Sequence, residues 1–362
     1  MTDKTNLLDY DRKSLEAYFD EIGDKSFRAQ QVIKWIFHHG IVDYQSMTNL
    51  SKNLRSKLEE NTTIKLPKIV AEQKSEDGTR KWLIQLDNKN SVETVYIPEN
   101  DRGTLCISSQ VGCPLDCKFC STAQQGFNRN LTTSEIIGQV WIANKALGCF
   151  ESGKRMITNI VFMGMGEPLL NYANVLKAIN LLTDDLAFGL ARRRVTVSTS
   201  GIIPEIDRLK EDTNVSLAIS LHASNNELRD SIVPINRSYP LVELLAACKR
   251  FSEGRDDDAV TIEYVMLNGV NDSTQDAREL VKCLEGLPSK VNLIPFNKFP
   301  GTNYTCSNMD TINAFRDILM KAGIFTITRK TRGDDIDAAC GQLVGKVASK
   351  AARHQKQRAE LT

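Results

Sequence analysis

Cys113-Pro-Leu-Asp-Cys117-Lys-Phe-Cys120 is a C-x3-C-x2-C run that puts three thiols within one short segment. Thiolates are soft ligands that suit zinc or iron–sulfur clusters. A structural zinc needs four ligands. The histidines His38, His39 and His222 are remote in sequence, and no fourth cysteine follows at ribbon-like spacing. Three thiolates on a four-iron cubane leave one iron open, able to chelate the amino and carboxylate groups of a ligand. The spacing therefore points to a [4Fe–4S] cluster on Cys113, Cys117 and Cys120 ahead of a zinc site. The chain has nine cysteines. An odd number in a chain of this size reads as metal ligands, catalytic thiols and buried residues rather than as a disulfide framework.

The elements around these residues must position them. From residue 104, TLCISS, NIVFMG, RVTVSTS, VSLAISL, VTIEYVM and VNLIPF are six short apolar runs. Helical patterns such as TSEIIGQVWIANKAL, YANVLKAINLLTD and LVELLAACKRFSEG separate them. Alternating strands and helices predict an α/β fold with a parallel sheet, here a partial (βα)6 barrel of the TIM type. IFTITRK offers a further edge strand. Barrel sites lie at the carboxyl ends of strands. The triplet directly follows the first run, and Met163-Gly164-Met165-Gly166-Glu167-Pro168 ends the second. There Gly166 allows close backbone approach to a ligand, and Glu167 can accept hydrogen bonds from an ammonium group. Ser198, Ser220, His222 and Asn297 are polar residues at the ends of apolar runs. Helix capping or turn formation is the alternative reading, and their position at strand ends favours a ligand-binding role.

Upstream, residues 1–65 read as a small helical accessory domain. SLEAYFDEIG and FRAQQVIKWIFHHG have apolar residues at helical spacing, with Ser14 and Ser26 as N-caps. Residues 66–103 read as a β-rich extension made of KIVAEQ, TRKWLIQL and SVETVYIP, with turns at Asp77-Gly78 and Asn88-Lys89-Asn90. The barrel takes residues 104–345, and 346–362 form a basic tail. Lys plus Arg number 46 against 45 Asp plus Glu. A nucleic-acid partner must therefore be met by local patches: Arg192-Arg193-Arg194, the tail, or Lys25, Arg28, Lys34, Lys52, Arg55 and Lys57. The polar N-terminus is not a signal peptide and no apolar run reaches membrane-spanning length, so a cytoplasmic protein is expected.

The triplet at the end of a barrel strand resembles the radical S-adenosylmethionine (SAM) superfamily. The likeness goes further. LCISSQVGC leads through the triplet into STAQQGF. MGMGEPLLNY, RRRVTVSTSGI, SLAISLHASNNELRD, PINRSYPL, NLIPFN and GDDIDAACGQL follow. From about residue 10 to about residue 345 these resemble the RlmN family of adenine C2 methyltransferases. The related Cfr-type C8 methyltransferases carry Ala where this chain has Pro168.

The resemblance implies that SAM is held by Gly166, Glu167, Ser198, Ser220, Leu221, His222 and Asn297. It implies that Cys340 is methylated, that Cys106 is its partner and that Glu93 matches the proton-acceptor position; a thiolate is the alternative acceptor, and a polar residue on the outer face of a hairpin is the other reading of Glu93. Adenine C2 is electron-poor and does not attack the methyl of SAM. Such enzymes use two SAM per turnover. The first methylates Cys340, and the second is cleaved at the cluster to give the radical that activates the methyl. The carbon then adds to C2, and Cys106 releases the product and leaves a Cys106–Cys340 disulfide. The implied partners are 23S rRNA, tRNA and an electron donor such as a flavodoxin system, with the chain a monomer. A C8 methyltransferase, a radical SAM enzyme of another class and a zinc-bound RNA-binding protein are the rival readings.

Overall fold

The structure is a computed structural model that describes residues 4–87, 89–255 and 259–345. The basic tail and Asn88 of the expected turn lie outside them. At the N-terminus β1 (Thr5–Asn6) leads into α1 (Arg12–Glu21), α2 (Arg28–Phe37) and α3 (Lys52–Asn61), and β2 (Thr62–Thr63) pairs back on β1. The two expected caps differ. Asp11 caps α1 by accepting the Ser14 N–H at 2.9 Å, which places Ser14 inside the helix. A carboxylate suits the positive helix end better than a hydroxyl. No side chain caps α2; the Lys25 and Ser26 carbonyls accept the Arg28 and Ala29 N–H groups instead.

The antiparallel strands β3 (Lys68–Lys74), β4 (Arg80–Gln85) and β5 (Ser91–Glu99) come next, then β6 (Arg102–Cys106). A hairpin of β7 (Gln110–Gly112) and β8 (Phe127–Asn130) flanks the cysteine loop, whose end carries α4 (Ser121–Gln124). The barrel continues as α5 (Thr133–Ala146), α6 (Cys149–Ser152), β9 (Asn159–Phe162), α7 (Tyr172–Thr183), β10 (Val195–Thr199), α8 (Ile203–Asp212) and β11 (Ser216–Ser220). It ends with α9 (Asn226–Ile232), α10 (Leu241–Ser252), β12 (Val260–Met266), α11 (Thr274–Cys283), β13 (Ser289–Pro295), α12 (Met309–Lys321) and β14 (Phe325–Thr328).

One sheet runs β14-β13-β12-β11-β10-β9-β6-β5-β4-β3. The six expected barrel strands are β6 and β9 to β13, and IFTITRK adds β14 as a parallel edge. From β6 to β14 the strands are parallel, and β5, β4 and β3 extend the same sheet antiparallel. A strand covered on both faces needs apolar residues at successive positions. All seven residues of β12, VTIEYVM, are buried. Among them Glu263 is admitted where Asn292 Nδ2 donates to its Oε1 at 2.8 Å and Arg329 lies 3.7 Å from its Oε2.

The helical N-terminal segment shares a core with the barrel. Leu15, Phe19, Val32 and Ile36 belong to the same apolar cluster as Trp141 and Leu182. Polar contacts fix the docking angle: Ser134 N–H donates to Asp9 Oδ1 at 2.7 Å, Trp141 Nε1 to the Ile36 carbonyl at 2.8 Å, and Arg12 Nε to Asp184 Oδ2 at 2.6 Å.

Candidate active site

The strand end after Cys106 is irregular, and side-chain amides pin it. Gln139 Oε1 accepts the Ser108 N–H at 2.8 Å and its Nε2 donates to the Ser108 carbonyl at 2.9 Å. Asn171 Nδ2 donates to the carbonyls of Ser109 and Leu131 at 2.9 and 2.8 Å. Gln110 Oε1 accepts the Glu167 N–H at 2.9 Å. Buried backbone groups outside a ladder need such partners. Gly164 and Gly166 belong to this packing. A Cβ on Gly164 would lie 2.7 Å from the Ile107 carbonyl oxygen, and one on Gly166, at φ +99°, 2.5 Å from Gln110 Cβ. Ligand approach was the sequence-based reason for glycine here. The geometry gives a different one: the loop after β9 must lie against residues 107–110, the path into the cysteine loop.

Cys113, Cys117 and Cys120 come together on the wall of a cavity of about 150 Å³ at the carboxyl ends of the strands. Gly166, Glu167, Ser198, Ser220, His222 and Asn297 line the same cavity. Leu221 does not; its side chain is buried, and its backbone bonds Glu263 and Arg229. Burial raises the three thiols, Cys117 to about 12. Among the described residues no set of three or more His, Cys, Asp or Glu side chains is arranged to grip a single metal ion. Three thiols on one cavity wall are the soft donor set that a [4Fe–4S] cluster would take, with iron in place of the thiol protons.

Glu167 is buried, and desolvation raises it to about 7 although it accepts the Ser200 and Leu169 N–H groups at 2.8 and 3.1 Å. A ligand ammonium would restore its charge. His222 sits at φ +63°, with its ring 4.5 Å from that of Phe119. Its Nδ1 accepts the Val265 N–H at 3.0 Å, which leaves Nε2–H as the donor. Desolvation, then Arg229, lowers it to about 3.

Cys340 follows a short 3-10 turn, Asp334–Ile336, in a segment whose Cys340, Gly341 and Leu343 line the cavity. Its carbonyl accepts from Asn297 Nδ2 at 3.3 Å, and the Gly341 carbonyl accepts the Ser121 N–H at 2.8 Å. Cys340 also lines a second cavity of about 60 Å³, and Cys106 lines that one. Cys340 thus stands between the three-cysteine cavity and Cys106. Both thiols are free. Burial raises Cys106 to about 12. Arg329 lines both cavities, 3.7 Å from Glu263 Oε2, and the nearby Cys340 thiol followed by Glu263 holds its pKa above the ordinary value. Glu93 lines neither cavity; its Oε2 accepts the Val344 N–H at 2.9 Å.

Arg229 is a further residue of the site that the sequence pattern does not mark. It is fully buried and donates to the Leu221, Ser200 and Ser220 carbonyls at 3.0, 2.7 and 3.2 Å, so it ties together the strand ends that carry the polar lining. Its only sequence signal is an arginine at a core-facing position of α9.

Residues 107–281 match the radical SAM superfamily, and residues 5–64 the family described as Ribosomal RNA large subunit methyltransferase N-terminal domain. A dual-specificity RNA methyltransferase RlmN of Marinobacter nauticus is 55% identical over 355 residues, 98% of this chain and 96% of that protein. The chain belongs to the RlmN family. The crystal structure of a radical SAM methyltransferase from Sphaerobacter thermophilus shares the fold with a TM-score of 0.87 at 43% identity, covering 94% of this chain and 99% of that one. Membership makes this RlmN-family chain a radical SAM methyltransferase, an enzyme whose superfamily uses a 4Fe–4S cluster and SAM. No described helix is long and apolar enough to cross a membrane.

Proposed function

We propose that this enzyme methylates C2 of an adenosine in 23S rRNA, at the peptidyl-transferase centre, and of the adenosine 3′ to the anticodon in tRNAs. The dual-specificity name of the relative supports more than one RNA substrate, and the description of the matched N-terminal family names ribosomal RNA. The observation that carries the mechanism is the position of Cys340 between the two cavities. Cys113, Cys117 and Cys120 would hold the cluster, and Gly166, Glu167, Ser198, Ser220, Leu221, His222 and Asn297 would hold SAM. Cluster and SAM together supply an electrophilic methyl group and the one-electron chemistry that activates a C–H bond.

The residues of the chain then divide the work. Cys340 gives up its proton and takes the methyl on sulfur, so that carbon destined for C2 is held on the protein. Glu167 receives the SAM ammonium, and neutral His222 donates from Nε2. Glu93 accepts the proton that leaves C2. Cys106, across the smaller cavity, loses its proton and attacks the sulfur of Cys340; the S–C bond to the RNA breaks, and the leaving carbon keeps the electron pair and takes a proton to become the C2 methyl group. The resulting Cys106–Cys340 disulfide is opened by a reductant before the next turnover.

Anaerobic turnover of a 23S rRNA fragment and of tRNA, followed by nucleoside mass spectrometry, tests this reading. Wild type should yield 2-methyladenosine from both RNAs and Cys340→Ala none. 8-Methyladenosine, or an active Cys340→Ala, would overturn it.

A further inference from the structure

Lys81 lies on β4 and is 5% exposed. It pairs across the strands with Val95, which makes Glu93 its diagonal neighbour on the same face of β5. Lys81 Nζ is 3.4 Å from Glu93 Oε1 and donates to the Asp337 carbonyl at 3.2 Å. The other Glu93 oxygen accepts the Val344 N–H. One buried ion pair thus grips the Cys340 segment at two points, one on each side of the thiol. Asp337 itself is held at φ +50°, left-handed for a residue with a side chain. A buried ion pair adds little to stability compared with apolar residues of similar size. Its use here is better sought in what it orders.

We propose that Lys81 is a positioning residue for the reaction: through Glu93 and the Asp337 carbonyl it latches the Cys340 segment, so that carboxylate and thiol are placed, and released, together. This rests on the reading of Cys340 as methyl carrier and Glu93 as proton acceptor. Both Glu93 oxygens are engaged by the latch. The carboxylate becomes available to an RNA base when Val344 withdraws, and Cys340, four residues earlier in the same segment, is released with it. An arginine at 81 could keep both contacts; an uncharged methionine could keep neither.

The test is hydrogen exchange of the cluster-loaded full chain, with the rate of iodoacetamide alkylation of Cys340 followed in the tryptic peptide 333–346. Lys81→Met should raise exchange of the amides of residues 337–344 about tenfold, the scale of losing one or two hydrogen bonds. It should also speed Cys340 alkylation several-fold while strands β10 to β13 stay protected. Lys81→Arg should restore wild-type behaviour, which a merely space-filling role would not require. Val344→Pro removes the amide that Glu93 accepts without touching the buried pair, and should release the segment in the same way. A folded Lys81→Met with wild-type exchange there would overturn the proposal. So would a Val344→Pro chain with unchanged alkylation, which decides the matter alone should Lys81→Met not fold. Neither measurement uses SAM or RNA, so failure here leaves the Cys340→Ala turnover test to judge the mechanism separately.

Discussion

His222 gives up its charge to occupy the cavity wall. Its ordinary value is 6.5, and burial holds it near 3 in the folded chain. Below pH 6.5 the unfolded chain takes a proton that the folded chain refuses, so stability falls as pH drops from 6.5 toward 3. At about 1.4 kcal/mol per pH unit, His222 makes the protein lose about 2 kcal/mol between pH 7 and pH 5. Asparagine tolerates the same left-handed backbone. Urea unfolding of His222→Asn should therefore show a pH 7-to-5 loss smaller than wild type by about 2 kcal/mol; an equal loss would mean that His222 is not a buried neutral ring. At this scale much of the site was legible. The cysteine spacing, Glu167 and the polar strand ends announced themselves by residue type. Lys81 and Arg229 did not, because a lone lysine in a strand or arginine in a helix reads as solvated until its burial is seen. Leu221 is named only by the family likeness; it does not line the cavity, and its backbone bonds Glu263 and Arg229 instead.

The hairpin of β7 and β8 is the element that presents the cysteine loop. Gly112, one residue before Cys113, has φ +73°, and a Cβ there would fall 1.7 Å from the Gly126 carbonyl oxygen. Cys113 N–H donates to that same oxygen at 3.2 Å. Gly112→Ala should force the two strands apart, at a strain of about 1–3 kcal/mol or more, and lower the iron bound per chain after anaerobic reconstitution to less than half of wild type. Iron at the wild-type level would show that the hairpin does not position the ligands. The long barrel elements were readable because strand and helix periods alternate cleanly from β9 to β13. This hairpin was not, since its strands are three and four residues long. The amides of Gln110, Gln139 and Asn171 were equally hidden: each bonds a segment distant in sequence. The caps at Ser14 and Ser26 failed for a local reason, a stronger acceptor at Asp11 and backbone carbonyls before α2.

Across the whole molecule, the sheet brings Cys106 on its first barrel strand and Cys340 beyond its last one to the two sides of one small cavity. Closing that distance takes the entire barrel, so no local pattern could have shown it. Cys340 could be paired with Cys106 only through the family likeness. Arg192, Arg193 and Arg194 precede β10, at the opposite end of the strands from the cavity. An RNA base entering the mouth meets them only if the RNA also wraps the barrel. The exposed Lys25, Lys34, Lys52 and Lys57 of the helical segment remain as a separate basic surface. In the proposed reaction Cys340 carries the methyl group. The most direct measurement is the mass of tryptic peptide 333–346 from protein reconstituted with iron and SAM and never exposed to RNA. One added methyl on Cys340 is expected in wild type and also in Cys106→Ala. An unmodified Cys340 peptide, or a methyl found on Cys106 instead, would contradict it.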